Sequence, residues 1–346
     1  TPGGWPSACH SQSTNSELMP NNTQDIQWSI PSPQPSLAPG LNADLDARHA
    51  GACSVIELDA EYHIYYWGIG TDGIYRICRA VSTVDAPNEW QPRGSILQSQ
   101  PNLDYNSVGP SFPEVVIVND DYWLLYFGAW GSSRDDGKLP NRTGVAASDD
   151  GGETWAYIRD EPVIPLDRHC DCSGTGSVSV LVENGLFRMY YTSIGEYFDR
   201  PEGVKTGHGD VIPRIGIAYA ESEDGIEWHK PYGELMVAPR GFDTEPYEYI
   251  SSKPCVIREG EGYRMWVSTF GTAYRIRSLV SEDGLDWRWN PSGIEGELGI
   301  GDEGAFDDHQ RSYACVVKHQ DEYRCWYTGN GFGNTGMGYA VGRRNP

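Results

Sequence analysis

Basic side chains are scarce in this sequence: 26 Lys and Arg stand against 49 Asp and Glu, a formal charge of -23. A surface of that sign repels phosphate backbones, which argues against nucleic acid and anionic membranes as partners. No apolar run is long enough to cross a bilayer as a helix, so no membrane insertion is expected. Eight cysteines in 346 residues are too sparse for a small disulfide scaffold. Several sit inside apolar runs, as Cys53 and Cys255 do, and read as buried thiols. The chain reads as soluble, with secreted, periplasmic and cytoplasmic settings all open, and the oligomeric state is open too. Opening on Thr1 rather than Met, it is expected to have lost a preceding segment.

Aromatic residues and glycine are plentiful, with 21 Tyr, 12 Trp and 41 Gly. Many aromatics between many turn glycines is the composition of an all-β protein. Three kinds of segment recur in a fixed order. The first is a short apolar run: Ser54-Val-Ile56, Val115-Val-Ile-Val118, Val178-Ser-Val-Leu-Val182, Cys255-Val-Ile257 and Cys315-Val-Val317. The second is aromatic: Tyr62-His-Ile-Tyr-Tyr-Trp-Gly68, Tyr122-Trp-Leu-Leu-Tyr-Phe-Gly128, Phe187-Arg-Met-Tyr-Tyr-Thr-Ser193, Tyr263-Arg-Met-Trp-Val-Ser268 and Tyr323-Arg-Cys-Trp-Tyr-Thr-Gly329. The third ends in Ser-x-Asp-Gly followed by Trp155, Trp228 or Trp287, with a degenerate copy at Trp90. Asp-Gly is a turn signal because glycine accepts positive φ.

Five copies of a three- to four-strand unit predict a five-bladed β-propeller. The last unit reaches the chain end without its closing Trp strand, whereas Asp25-Ile-Gln-Trp-Ser-Ile30 has that strand's character. This N-terminal strand is expected to complete the last blade and remove an exposed edge. Residues 1–24 read as an extended arm and residues 25–346 as one propeller domain. The inserts at residues 131–142 and 195–213 read as loops over one face.

In such a fold the residues just before each first apolar run open into a central funnel. Those positions hold Asp46, Arg48 and His49; Asp104 and Glu114; His169, Cys170, Asp171 and Cys172; Tyr247 and Glu248; and Asp308, His309 and Arg311. Converging carboxylates suit glycoside hydrolysis, which needs one protonated and one ionised acid. Asp46 is the expected base or nucleophile and Glu248 the acid. Asp104 or Glu114 would tune a pKa or grip a hydroxyl, and Asp171 lies in the same substrate-binding ring. Arg48, His49, His309, Asp308 and Arg311 would hold sugar hydroxyls or a carboxylate, and Tyr66, Trp67, Trp130 and Tyr247 would stack on sugar faces. No cofactor is required, though a structural Ca²⁺ could sit near His309 and Asp308. His169, Cys170 and Cys172 could join His49 or His309 in a zinc site.

The motifs Gly216-Ile-Ala-Tyr-Ala-Glu-Ser-Glu-Asp-Gly-Ile-Glu-Trp228, Ser252-Lys-Pro-Cys-Val-Ile-Arg258 and Tyr327-Thr-Gly-Asn-Gly-Phe-Gly-Asn-Thr-Gly-Met-Gly-Tyr-Ala340 resemble the five-bladed glycosidase superfamily. That superfamily includes family 43 arabinanases and xylosidases, family 32 fructosidases and family 130 mannoside phosphorylases. The chain is particularly similar to bacterial propellers, often found with polysaccharide genes, that are known only as glycosidase-like. The resemblance spans roughly residues 45–342 and implies a carbohydrate substrate. It does not carry the catalytic acids across. The place of the first-strand acid is near Ala52 and Cys53, the blade-four acid motif reads Ser251-Ser252, the Asn-Asp-Pro-Asn signature is missing, and only Glu114 falls near an acidic position.

The expected function is therefore a glycoside-active enzyme, a hydrolase acting on an oligo- or polysaccharide, with phosphorylase or transglycosidase chemistry also open. A propeller that binds carbohydrate or assists polysaccharide assembly without turnover is a second reading. Metal- or thiol-dependent chemistry through His169, Cys170 and Cys172 is a third.

Overall fold

The computed structural model describes residues 26–207, 209–291 and 295–344. The expected arm over residues 1–24 lies outside them, as does Cys9. Strands dominate, and the helical pieces are single 3-10 turns. Strand β1 (Ile26–Ser29) is followed by β2 (His49–Leu58), β3 (Glu61–Ile69), β4 (Tyr75–Thr83) and β5 (Gln91–Gln98), the last four forming one antiparallel sheet. A second sheet holds β6 (Gly109–Asn119), β7 (Tyr122–Trp130), β8 (Asn141–Ser148) and β9 (Ala156–Tyr157). Next come β10 (Gly174–Glu183), β11 (Leu186–Asp199) and β12 (Val211–Ser222), then β13 (Ile250–Glu259), β14 (Gly262–Phe270), β15 (Tyr274–Ser281) and β16 (Arg288–Trp289). These seven form one sheet, but a single parallel pair, Ile215 with Ile250, joins its two antiparallel groups. The last sheet runs β1-β19-β18-β17, with β17 (Ser312–His319), β18 (Glu322–Thr328) and β19 (Met337–Arg344). In it β1 pairs with β19, Ile26 opposite Arg344 and Ser29 opposite Val341, so residues near the two ends of the chain share one sheet.

The aromatic runs lack clean polar alternation because both faces of their strands are buried. In β3, Tyr65 enters a cluster with Ile77, Leu125 and Phe127, while its neighbour Tyr66 enters another with Cys53, Trp326 and Met337. The core is thus divided into layers between neighbouring sheets. Val116, Tyr126, Val178 and Tyr191 fill the next layer, then Tyr190, Ile217, Met265 and Leu279, then Cys255, Trp266, Ala314 and Tyr327.

Hydrogen bonds tie the innermost strands together. The Val115 N–H of β6 donates to Ser54 Oγ of β2 (3.1 Å), and the Val180 N–H of β10 donates to Glu114 Oε1 of β6 (3.2 Å). The Val256 N–H of β13 donates to Ser179 Oγ of β10 (3.0 Å), and the Val316 N–H of β17 to Cys255 Sγ of β13 (3.2 Å). The Val55 N–H of β2 donates to Cys315 Sγ of β17 (3.2 Å) and returns the circuit to its start. One valine position in each inner strand therefore reaches back to a side chain of the strand before it.

The Ser-x-Asp-Gly segments form the expected turns. Asp224 Oδ1 accepts the N–H groups of Ile226 and Glu227, and Asp283 Oδ1 those of Leu285 and Asp286. The tryptophans that follow pack edge-on against a tyrosine of the preceding sheet or strand group, rather than covering their own sheet edge. The centroid distances are 6.0 Å for Trp155 with Tyr65, 5.9 Å for Trp228 with Tyr126 and 5.7 Å for Trp287 with Tyr190. After Trp228 the chain forms only isolated bridges, His229 to Glu221 and Val237 to Ile217, in place of a fourth strand. The expected loop at residues 195–213 is corrected in part, because β11 and β12 extend into it as a long hairpin.

Candidate functional site

A buried acid precedes four of the inner strands, whereas Asp104, before the fifth, is exposed. Asp46 Oδ2 accepts the Tyr66 hydroxyl (2.5 Å), and both its oxygens accept the Asn42 N–H (3.0 and 3.2 Å). Asp171 Oδ2 accepts from the Tyr191 hydroxyl (2.9 Å) and Lys230 Nζ (2.7 Å). Asp307 Oδ2 accepts from the Tyr327 hydroxyl (2.8 Å) and Arg311 Nε (2.7 Å). In each case the tyrosine lies in the following strand, twenty positions on in the sequence. Glu248 has Val267 where the others have tyrosine, and it is held instead by Thr269 Oγ1, Arg277 Nε and Arg240 Nη1, each at 2.8 Å. None of the four is more than 2% exposed. Removing one partner of such a buried pair costs about 3–5 kcal/mol, so these acids hold the loops that lead into the inner strands. Burial raises the Asp46 carboxyl above its ordinary range, against the Tyr66 and backbone hydrogen bonds that lower it.

The mouth where the inner strands begin is aromatic. Every inner strand has a register break near its start. Ala52, Phe112, Lys253 and Tyr313 sit at four of these breaks with φ of 39°, 46°, 49° and 55°. Left-handed backbone at non-glycine residues costs on the order of 1–3 kcal/mol each, and it re-aims side chains at the mouth. Phe112 and Tyr313 meet there at 5.0 Å between centroids. Trp67 lies 5.5 Å from Phe112 and 6.5 Å from Trp130, and Tyr274 lies 5.7 Å from Tyr313. Phe332, also at positive φ (64°) and 44% exposed, stacks against Tyr313 at 6.3 Å. Trp130 Nε1 donates to Ser111 Oγ (2.7 Å), which fixes its indole.

His49 lies against this cluster, 4.1 Å from the Trp67 ring and 2% exposed. Its Nδ1 is 3.2 Å from the Trp67 carbonyl, and the Phe332 backbone also lies against the ring. Burial pushes the imidazole pKa down to about 4, so the ring is neutral near pH 7.

Glu114 and Lys253 lie within electrostatic reach of each other. Burial raises the Glu114 carboxyl, while Lys253, the Val180 N–H and Ser179 lower it, and the net direction is upward. Lys253 is 2% exposed; burial lowers its pKa, the Glu114 carboxylate and the neighbouring thiols raise it, and the net direction is upward. The buried thiols of Cys53, Cys255 and Cys315 lie beside the same ammonium group.

The remaining expected residues are spread out. Arg48 and Asp104 are exposed. The Tyr247 hydroxyl donates to the Lys205 carbonyl (2.7 Å) and accepts its N–H (3.1 Å). Arg311 is buried against Asp307 and lies over the Tyr327 ring. Asp308 accepts from Gly304 N–H (2.7 Å), Asn330 Nδ2 (2.8 Å) and the exposed His309 ring. His169 is exposed 3.6 Å from Glu196, Cys170 is buried and Cys172 is exposed. Among the described residues no group of three His, Cys, Asp or Glu has metal-holding geometry, and the seven described cysteines are free. No described helix is long and apolar enough to cross a membrane.

Sequence reasoning missed Lys253, Phe112, Tyr274, Tyr313 and Phe332. The strand breaks that aim Lys253, Phe112 and Tyr313 have no sequence signal, because these are ordinary L-residues held at positive φ by their surroundings.

No protein-family model matches the chain. It is 32% identical to the uncharacterized proteins MT1551 and Rv1502 of Mycobacterium tuberculosis over 260 residues, 72% of this chain and 77% of each relative. Among solved structures it is similar to a glycoside hydrolase (TM-score 0.67, 16% identity, 92% of this chain and 93% of that one). A thermostable family-43 glycoside hydrolase follows (TM-score 0.58, 18% identity, 85% and 88%). So does a member of the GH130 family of mannoside phosphorylases, which contains hydrolases that target β-1,2 mannosidic linkages in Candida mannan (TM-score 0.61, 13% identity, 95% and 98%). At these identities the likeness is one of fold, all-β and of the propeller type shared by such glycosidases.

Proposed function

From the premise that this chain belongs to the family of its two mycobacterial relatives, we propose that it is a five-bladed propeller acting on glycosides at its aromatic mouth. The five-step circuit of hydrogen bonds among β2, β6, β10, β13 and β17 supports the blade count, and the pairing of β1 with β19 supports closure within the last blade. One observation carries the functional reading: exposed Phe332 and half-buried Phe112 and Trp130, from chain segments far apart, gather at that mouth against buried Trp67 and Tyr313. Aromatic faces against sugar C–H surfaces are the ordinary means of holding a carbohydrate. The glycoside hydrolases that share the fold support turnover.

In this reading Glu114 is the reacting acid. A carboxyl whose pKa burial raises holds its proton to higher pH than a solvated one, the direction a group that donates to a leaving oxygen needs. Asp46, Asp171, Asp307 and Glu248 act as positioning residues. Arg311 serves Asp307, and the mouth rings bind sugar. The test is hydrolysis of a glycan panel by wild type and Glu114→Gln. The amide keeps an oxygen for the Val180 N–H and removes only the charge that attracts Lys253. The expected result is a fall in kcat of about a hundredfold or more, the scale of one general acid, together with a lower melting temperature because Lys253 loses its counter-charge, in a variant whose circular dichroism at the assay temperature matches that of the folded wild type. Unchanged turnover would remove Glu114 from the chemistry.

A second reading, binding without turnover, is favoured by the burial of the four acids, since hydrolysis ordinarily needs two carboxyl groups open to substrate. Affinity for a glycan with no hydrolysis of any panel member would select it.

A further inference from the structure

A second aromatic cluster lies beyond Tyr274, on the side of the mouth formed by β11–β14. Phe242, Tyr247 and Phe270, all half-buried, pack on buried Tyr249 and on Ile194, Ile212, Ile215 and Ile250. Phe242 stacks on Tyr249 with an interplanar angle of 15°, and Tyr247 is 6.1 Å from Phe242. The two hydrogen bonds between Tyr247 and Lys205 pin the phenol ring. The backbone here is closely fitted as well: a Cβ at Gly271 would stand 1.8 Å from the Tyr247 carbonyl oxygen. Phe270 touches Tyr274 at 4.6 Å, and Tyr274 touches the mouth ring Tyr313. The two clusters are therefore continuous: Trp67, Tyr313 and Tyr249 link them as buried rings, and exposed Phe332 reaches half-buried Phe270 through half-buried Tyr274 in steps of 5.6 and 4.6 Å.

We infer that Phe242, Tyr247 and Phe270 form a distal subsite that takes the far units of a glycan chain whose reacting unit lies at Trp130, Phe112 and Phe332. This deepens the glycoside reading above and rests on it. One sugar ring covers one or two aromatic rings, whereas the exposed and half-buried rings here are spread from Trp130 in β7, through Phe112, Phe332, Tyr274 and Phe270, to Phe242 before β13. The rings are fixed before any ligand arrives, through packing below and the Tyr247–Lys205 contacts at the side, and a preorganised site loses less entropy on binding. The occupant is a chain of several linked units, and the distal rings read its length.

The experiment is calorimetric titration of the full chain with mannan, arabinan and xylan oligosaccharides, each as a disaccharide and as a hexasaccharide. For a glycan class that binds, Kd should fall at least about tenfold from disaccharide to hexasaccharide. Phe242→Ala with Phe270→Ala should abolish that gain and leave the disaccharide Kd unchanged. Trp130→Ala should weaken both lengths. Phe270→Leu, which keeps apolar volume, should lose part of the gain and covers the case in which the double variant does not fold. Equal affinity at both lengths, or a distal variant that weakens the disaccharide as much as the hexasaccharide, overturns the subsite. Hexasaccharide-selective binding that survives the distal substitutions overturns it too. Binding of no glycan at any length would instead sink the carbohydrate reading on which it stands.

Discussion

Single residues acquire their roles here from burial more than from type. Asp46 and Glu114 are both carboxylates near the start of an inner strand, yet Tyr66 and Asn42 close off the first, while the second shares the interior with Lys253. His49 gives the clearest pH consequence. Its imidazole falls from 6.5 to about 4 on folding because burial penalises the charged ring. Between those values the unfolded chain binds more protons than the folded one, so stability is full above pH 6.5 and is lost as pH falls toward 4. The loss attributable to this ring is at most about 3 kcal/mol. Denaturant titrations at pH 7 and pH 4 should therefore show a smaller stability difference in His49→Gln than in wild type. Equal differences in the two proteins would mean that the ring is not held neutral.

Among elements, the Asp-Gly turns do more than reverse the chain. The Tyr190 hydroxyl donates to the Gly284 carbonyl (2.9 Å), and that of Tyr126 to Gly225 (2.6 Å), so each turn is bolted to the strand group before it. Gly284 has φ of 77°, and a Cβ there would lie 2.7 Å from the Tyr190 hydroxyl and 3.0 Å from the Arg188 guanidinium. Gly284→Ala should destabilise by about 2 kcal/mol through backbone strain and this collision. A lower denaturation midpoint with unchanged slope would bear that out, and an unchanged midpoint would contradict it. These turns, and the aromatic strands between them, were legible because Asp-Gly and paired aromatics have local physical causes. The register breaks at Ala52, Phe112, Lys253 and Tyr313 were not. Three of them donate their N–H to a hydroxyl of the adjacent sheet or strand group: Ala52 to Thr328, Lys253 to Thr192 and Tyr313 to Ser268. Contacts between sheets cannot be read from the local pattern.

For the whole molecule, cohesion resides between sheets. The inner-strand circuit spreads its bonds over five junctions, and the pairing of β1 with β19 shields an edge that would otherwise template aggregation. Ile26 joins the layer around Trp266 and Cys325, and Trp28 Nε1 donates to Glu297 (3.2 Å). Truncation through Ile30 should lower the melting temperature sharply and expose β19. Light scattering should then detect oligomers, and a monomer of unchanged stability would show that β1 is dispensable.

The sequence alone determined the strand class, the recurring unit and the kinship of residues 25–30 with the last unit, because periodicity, turn chemistry and aromatic spacing act over a few residues. It also marked the acids that recur before inner strands. Tertiary structure decided which way they point: whether a carboxylate meets solvent or a tyrosine twenty positions on depends on how two strands and a loop close over it. Distance in space likewise decided the mouth. Trp67, Phe112, Tyr313 and Phe332 carry no shared motif, and only packing around the inner strands makes them one cluster.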